Sequence, residues 1–265
     1  MASLSISEAW NETAAFVRRE AQLVLPIGFL LIALPGALMQ ASMPVPVPGE
    51  LPAPGWWLAV LPAAIVLALI GNIAISLLAL RPGTSVGESL QHGGRRFIFL
   101  LAAGLLVGLG LVVLAVPLML IAGLGAVATG NPAFGALLAF AVLLPVMMML
   151  WIRLFLMTPV AAAEDIGPIA IVRRSWSLTK GHWPKLLGFL LMLVVVVLIV
   201  SMAVGAIGGI LIVLVAGPPH PGSLAAWLIL ILSALVQSLL STIFAVMIAR
   251  IYAQLSGGNP ASVFS

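Results

Sequence analysis

The ionisable side chains are few enough to be taken one by one. The chain has no cysteine, three histidines (His92, His182, His220) and seven carboxylates, of which only Asp165 is an aspartate. Disulfides, thiolate nucleophiles and thiolate metal sites are excluded. Metal-dependent head-group transfer through clustered aspartates is excluded by the single Asp165. No phosphate-cradling Gly-x-x-x-x-Gly-Lys-Ser/Thr run occurs. Intramembrane proteolysis wants a serine–histidine pair or paired aspartates at depth, and the histidine away from the basic segments, His220, sits in a proline-rich turn. These readings predict no catalytic residue, no metal site and no cofactor.

What remains is cationic chemistry. There are 11 Lys+Arg against 7 Asp+Glu, a net charge of +4. The segment Pro168–Lys185 sets Arg173, Arg174, Lys180 and Lys185 beside Trp176 and Trp183. Tryptophan prefers the head-group level of a bilayer, and each cation there is worth about 1 kcal/mol against an anionic leaflet. Arg153 stands late in an apolar stretch, where it needs a partner or must snorkel. Glu164 and Asp165 are candidate partners, and a lipid phosphate, bound bidentately by the guanidinium, is another. The expected anionic-lipid contacts are Arg153, Arg173, Arg174, Lys180 and Lys185, with Trp10, Trp176 and Trp183 as interface anchors. The alternative is that these charges only set topology.

The elements that must position these residues follow from composition. The chain is 63% hydrophobic and 7% charged, against about 45–50% and about 25% in soluble domains, and its mean hydropathy is +1.29. Folding in water cannot hide so much apolar surface. A soluble enzyme, a disordered chain and a nucleic-acid-binding domain are excluded, and membrane lipids become the expected partners. A spanning helix needs about 20 apolar residues. Uncharged stretches and the breaks at Thr129–Pro132 and Gly217–Gly222 predict six spans, near 21–40, 56–80, 97–124, 133–158, 185–215 and 224–252, in a single membrane domain over 1–265. The expected fold class is an all-α polytopic membrane helix bundle with cytoplasmic-side amphipathic helices.

Charge tests that count. The first, third and fifth connections hold only Glu50 and His220 as ionisable groups, and all 11 basic residues sort to the opposite side. By the positive-inside rule both termini are cytoplasmic. The first 20 residues do not read as a cleavable signal but as an amphipathic helix, opened by the capping box Ser5-Ile6-Ser7-Glu8. Ile6, Trp10, Ala14 and Val17 share its apolar face. Val86, Leu90 and Phe97 share a face in the second connection, and Ile169, Val172, Trp176 and Trp183 in the fourth. Ser89-Leu-Gln-His-Gly93 parallels Ser177-Leu-Thr-Lys-Gly181, suggesting an internal repeat. Gly104-x-x-x-Gly108 and Ser201-x-x-x-Gly205-x-x-x-Gly209 read as close helix contacts, or as faces for a partner chain. The stripe Ser233, Gln237, Ser241 reads as interhelical hydrogen bonding.

Arg153-Leu-Phe-Leu-Met-Thr-Pro159, Ala163-Glu164-Asp165-Ile166-Gly167-Pro168 and Ser175-Trp176-Ser177-Leu178-Thr179-Lys180-Gly181 resemble the signature of a bacterial six-span membrane family. That family is the membrane domain of glycerophosphoryl diester phosphodiesterases, grouped with the YciC-like inner-membrane proteins. The resemblance implies an integral inner-membrane protein with no settled activity. The fused phosphodiesterase barrel is not expected here, because no soluble segment is long enough to hold it. The resulting expectation is a non-enzymatic protein with a lipid-facing or scaffold role in envelope maintenance, possessing a membrane-protein partner or a second copy of itself. The alternative is a transporter or the permease subunit of a larger complex.

Overall fold

The polypeptide forms helices broken where the sequence carries Pro, Gly or an N-capping side chain. The computed structural model describes residues 5–43, 53–220 and 222–257. Residues 1–4 of the expected N-terminal helix, Pro221 of the fifth connection, and Glu50 with most of the first connection lie outside the described residues. Helix α1 spans Ile6–Ile27, with the Ser5 hydroxyl accepting from the Glu8 amide at 3.3 Å. The box is half formed, because the Ser5 amide donates to Gln254 Oε1 instead. Backbone geometry leaves the helical region at Glu20 (φ −110°, ψ 15°), where the amphipathic stretch meets the first apolar one. Pro26 lacks an N–H and breaks the bonding ladder, and Gly28–Ala33 widens into a π-helical turn before α2, Leu34–Ser42. Ser238 Oγ donates to the Leu25 carbonyl at 3.3 Å, tying α9 to the end of α1 beside the break. The expected amphipathic helix and first span are therefore one kinked rod.

The remaining helices are α3 (Trp57–Leu80), α4 (Val86–Thr129), α5 (Pro132–Leu154), α6 (Met157–Ala163), α7 (Pro168–Thr179), α8 (Trp183–Ala216) and α9 (Leu224–Leu255). No strand occurs among the described residues. Among the described residues, six helical stretches are long and apolar enough to cross a membrane, so the all-α bundle is as expected. The turn before α5 uses Gly130 at φ 60° and the Asn131 side chain, which accepts from the Ala133 amide. Helix α7 starts on Pro168, and Gly181 follows its end at φ 88°. One boundary is corrected: the second-connection segment is not a separate interfacial helix. It is the start of α4, which runs 44 residues without a break, about 66 Å at 1.5 Å per residue. A full capping box opens it, with Glu88 N donating to Ser85 Oγ and Ser85 N to Glu88 Oε2. Thus Gly93 sits inside a helix whereas Gly181 ends one, and the two similar pentapeptides are used differently.

The molecule has two tiers. At the end carrying the charges, Ile73, Leu77, Ile152, Leu156, Val160, Ile171, Phe189, Val246 and Ile251 form one buried cluster. Here α1 lies along α9, α3 packs on α4 and α9, and α6 and α7 fill the end of the bundle. At the other end the helices turn apolar side chains outward, and Val127 and Val215 are 80% and 86% exposed.

Each amphipathic stretch turns a different face inward from the one its large apolar residues predict. In α1 the buried positions are Ala9, Thr13 and Phe16, while Trp10 is 44% exposed. In α4 they are Ser89, Gly93 and Arg96, and in α7 Ile171, Ser175 and Thr179. Ile6, Val17, Val86, Leu90, Phe97 and Val172 ride on the flanks, and Ile169, Trp176 and Trp183 are exposed. Close helix approach explains the shift. Thr13, Ser89 and Thr179 donate their hydroxyls to carbonyls of their own helices at 2.7, 2.8 and 3.0 Å, which lets them act as small residues at a contact. The glycine motifs are corrected likewise. A methyl group on Gly104, Gly108, Gly205 or Gly209 would meet nothing within 4 Å. Tight crossings lie instead at Gly93, where a methyl would stand 2.8 Å from the Ile70 carbonyl, at Gly28 against Thr242 and Ser238, at Gly71 against Leu31, at Gly135 against the Ala122 carbonyl and at Gly208 against Leu232.

Candidate functional site

The segment that carries the sequence signature folds into a polar latch. Helix α6 ends at Ala163, and its last carbonyls have no helical partner. Two side chains from α4 supply donors. Arg96, 8% exposed, donates from Nε to the Ala161 carbonyl at 3.2 Å and from Nη2 to the carbonyls of Glu164 and Ile166 at 2.6 and 2.8 Å. His92 Nε2 stands 3.0 Å from the Ala162 carbonyl. A cation at a helix C-terminus also opposes the partial negative charge of the exposed carbonyls. Arg96 Nη1 lies 3.7 Å from Asp165.

Glu164 binds the next two elements. Its Oε1 accepts from Arg174 Nε and from the Tyr252 hydroxyl, both at 2.8 Å. One carboxylate thus joins α7 to α9. Ser175 donates to the Arg153 carbonyl at 2.7 Å, joining α7 to α5. Pro159 is buried in α6, and Gly167 occupies the extended position before Pro168 opens α7. Pro159, Glu164, Asp165, Gly167, Pro168, Ser175 and Gly181 thus each take part in the folding of this segment.

The expected pairing of Arg153 is corrected. Glu164 and Asp165 are engaged by Arg174 and Arg96. Arg153 instead stacks its guanidinium 5.3 Å from the Trp176 ring, and its Nε and Nη1 are buried without a hydrogen-bond partner. Of the five cations proposed for lipid contact, Arg174 is thus committed to the latch and Arg153 to an aromatic face. Arg173, Lys180 and Lys185 are exposed and make no ion pair among the described residues. They share the end of the bundle with exposed Trp176 and Trp183. Trp10, on α1, is exposed but belongs to a different helix from this group.

Sequence reasoning counted Arg96 among the basic residues that set topology, placed His92 only within the repeat, and passed over Tyr252. The chain's one tyrosine at the end of a span was the available signal. For Arg96 there was none, because its acceptors are backbone carbonyls. The polar stripe of α9 is also corrected: Ser241 donates to the carbonyl of Ser238 in its own helix. Ser233 and Gln237 instead line openings of about 190 and 340 Å³ beside α8 and α2, and Gln237 with Ser241 a third of about 300 Å³.

The fold and this site define a multi-pass helical membrane protein whose polar residues gather at one end. Within that class, the chain belongs to a family described as a domain of unknown function, DUF7847, whose model matches residues 4–255. No curated protein and no solved structure matches the chain.

Proposed function

We propose that the protein is a non-enzymatic component of the bacterial inner membrane, with its basic end in the cytoplasm and a lipid-facing or scaffold role in envelope maintenance. The observation that carries this reading is the exposed group Arg173, Lys180 and Lys185, flanked by exposed Trp176 and Trp183. Aromatic rings at head-group depth with unpaired cations beside them suit a leaflet of anionic lipid. The signature's likeness to the YciC-like proteins supports the same membrane and the same orientation. So does the charge asymmetry, since positive residues are retained on the cytoplasmic side. The test neutralises Arg173, Lys180 and Lys185 together to Gln in the full chain. Purified protein should keep its fold and carry less phosphatidylglycerol and cardiolipin, measured by lipid mass spectrometry. Unchanged lipid content in a folded variant sinks the proposal.

A second reading, a transporter or the permease subunit of a complex, is favoured by Gln237. This amide is exposed at mid-helix and lines three openings. Copurification of an ATPase or a solute-binding protein with the intact chain would decide for that reading.

A further inference from the structure

The basic end holds a second cationic feature, to which α6, α7 and α8 contribute nothing. The kinked part of α1, the turn between α3 and α4 and the last turns of α9 enclose a cavity of about 180 Å³. A single water needs about 10–15 Å³, so there is room for a tetrahedral phosphate group. Arg19, Arg81 and Arg250 line it, with Glu20 as the carboxylate in the wall. Arg19 Nε donates to Glu20 at 2.9 Å. The Arg250 side chain is 14% exposed and stands 3.9 Å from Glu12 Oε2. Its Nε is buried and has no hydrogen-bond partner. The guanidinium is also 5.4 Å from the Phe16 ring. Arg19 and Arg250 thus bring two forked guanidinium groups to one cavity, with the buried Arg250 Nε lacking a hydrogen-bond acceptor, an arrangement that suits an anionic phosphate group.

Depth supplies the independent argument. Arg19 stands two residues before the start of the first apolar stretch, Arg81 follows the last residue of α3, and Arg250 lies in the last turns of α9. All three therefore stand where a spanning helix meets the head groups. Leu23, which also lines the cavity, is 42% exposed. An apolar side chain at the mouth of an arginine-lined cavity suits a ligand with a phosphate at one end and an acyl chain at the other.

We propose that this cavity binds the phosphate group of an anionic phosphodiester, held by the forked donors of Arg250 and Arg19. This site is separate from the α7 surface, and its test uses other variants, so either proposal can fail alone. Full-length protein is placed in nanodiscs of phosphatidylcholine with increasing phosphatidylglycerol, and bound lipid is counted by native mass spectrometry. The double variant Arg19→Gln, Arg250→Lys should weaken the tightest phosphatidylglycerol site about tenfold, because lysine lacks the bidentate fork. Arg95→Gln removes one charge at an exposed position outside the cavity and should leave that site unchanged. Arg19→Gln alone, at an exposed side chain, keeps the test readable should the Arg250 change impair folding, and should weaken the site several-fold. Inorganic phosphate and glycerol phosphate, added to pure phosphatidylcholine discs, separate the sources. Binding of either at the same arginines would support the phosphate site with a soluble ligand. Equal phosphatidylglycerol binding by wild type and the Arg19 variants, or equal loss in Arg95→Gln, overturns it.

Discussion

The two tiers of this molecule are built from the same helices and obey different rules. In the basic tier, side chains interlock and polar groups meet named partners across large sequence distances. In the apolar tier, α4, α5 and α8 present leucine, valine and isoleucine outward, and α4 and α5 meet closely at Gly135 without a side-chain hydrogen bond between them among the described residues. The difference follows from the solvent. Lipid tails are as apolar as leucine, so hydrophobicity does not choose which face of a spanning helix turns inward. Close approach and hydrogen bonding must choose instead. The basic tier has both, in Gly93, Ser89, Ser175 and Thr179, and in Arg96 and Glu164. In the apolar tier, Gly104 and Gly108 are open to occupation by lipid or another chain.

Arg96→Ala should break this contrast most sharply. It strands several buried carbonyls and removes hydrogen bonds from a charged donor, each worth about 1.5–3 kcal/mol. The expected loss is roughly 3 kcal/mol or more, seen as a fall in thermal midpoint in detergent. Arg96→Lys should recover only part of it, since an ammonium cannot reproduce the fork. A variant with wild-type stability would remove the latch from the account.

A smaller effect should separate tight crossings from open glycines. Gly93→Ala is expected to destabilise by about 1–3 kcal/mol through overpacking against Ile70. Gly104→Ala and Gly108→Ala should change stability by less than about 0.5 kcal/mol. Equal losses at Gly93 and Gly104 would show that the apolar tier is packed as closely as the basic one.

The Glu164 junction sharpens the comparison further. In a double-mutant cycle of Glu164→Gln with Tyr252→Phe, the coupling should be about 1–2 kcal/mol. A value near zero would mean that α7 and α9 are held together by packing alone.

The last prediction concerns which tier faces which compartment. Single cysteines near Asn131 and His220 should react with an impermeant thiol reagent in spheroplasts, and cysteines near Ser89 and Thr179 only after lysis. The absence of native cysteine leaves no background. Labelling at Thr179 from outside would reverse the proposed orientation.

Much of the architecture was legible in the residues alone. Uncharged runs near 20 residues or longer, Asn131-Pro132, Pro168 and Gly181 mark helices and their ends, because length, hydropathy and capping are local properties. The gathering of every basic residue at one end was legible for the same reason. Tertiary structure decided which faces turn inward and which charges meet. The large apolar residues of α1, α4 and α7 pointed to one face each, and the buried stripe proved to be the neighbouring one with small and hydroxyl side chains. Arg153 was expected to meet Glu164 across 11 positions of chain, yet Glu164 accepts from Tyr252, 88 positions away. His92 and Arg96 reach backbone carbonyls some 70 positions on. A carbonyl is present at every residue, so sequence carries no mark of which one a buried arginine will find. Only the crossing of helices in three dimensions selects it.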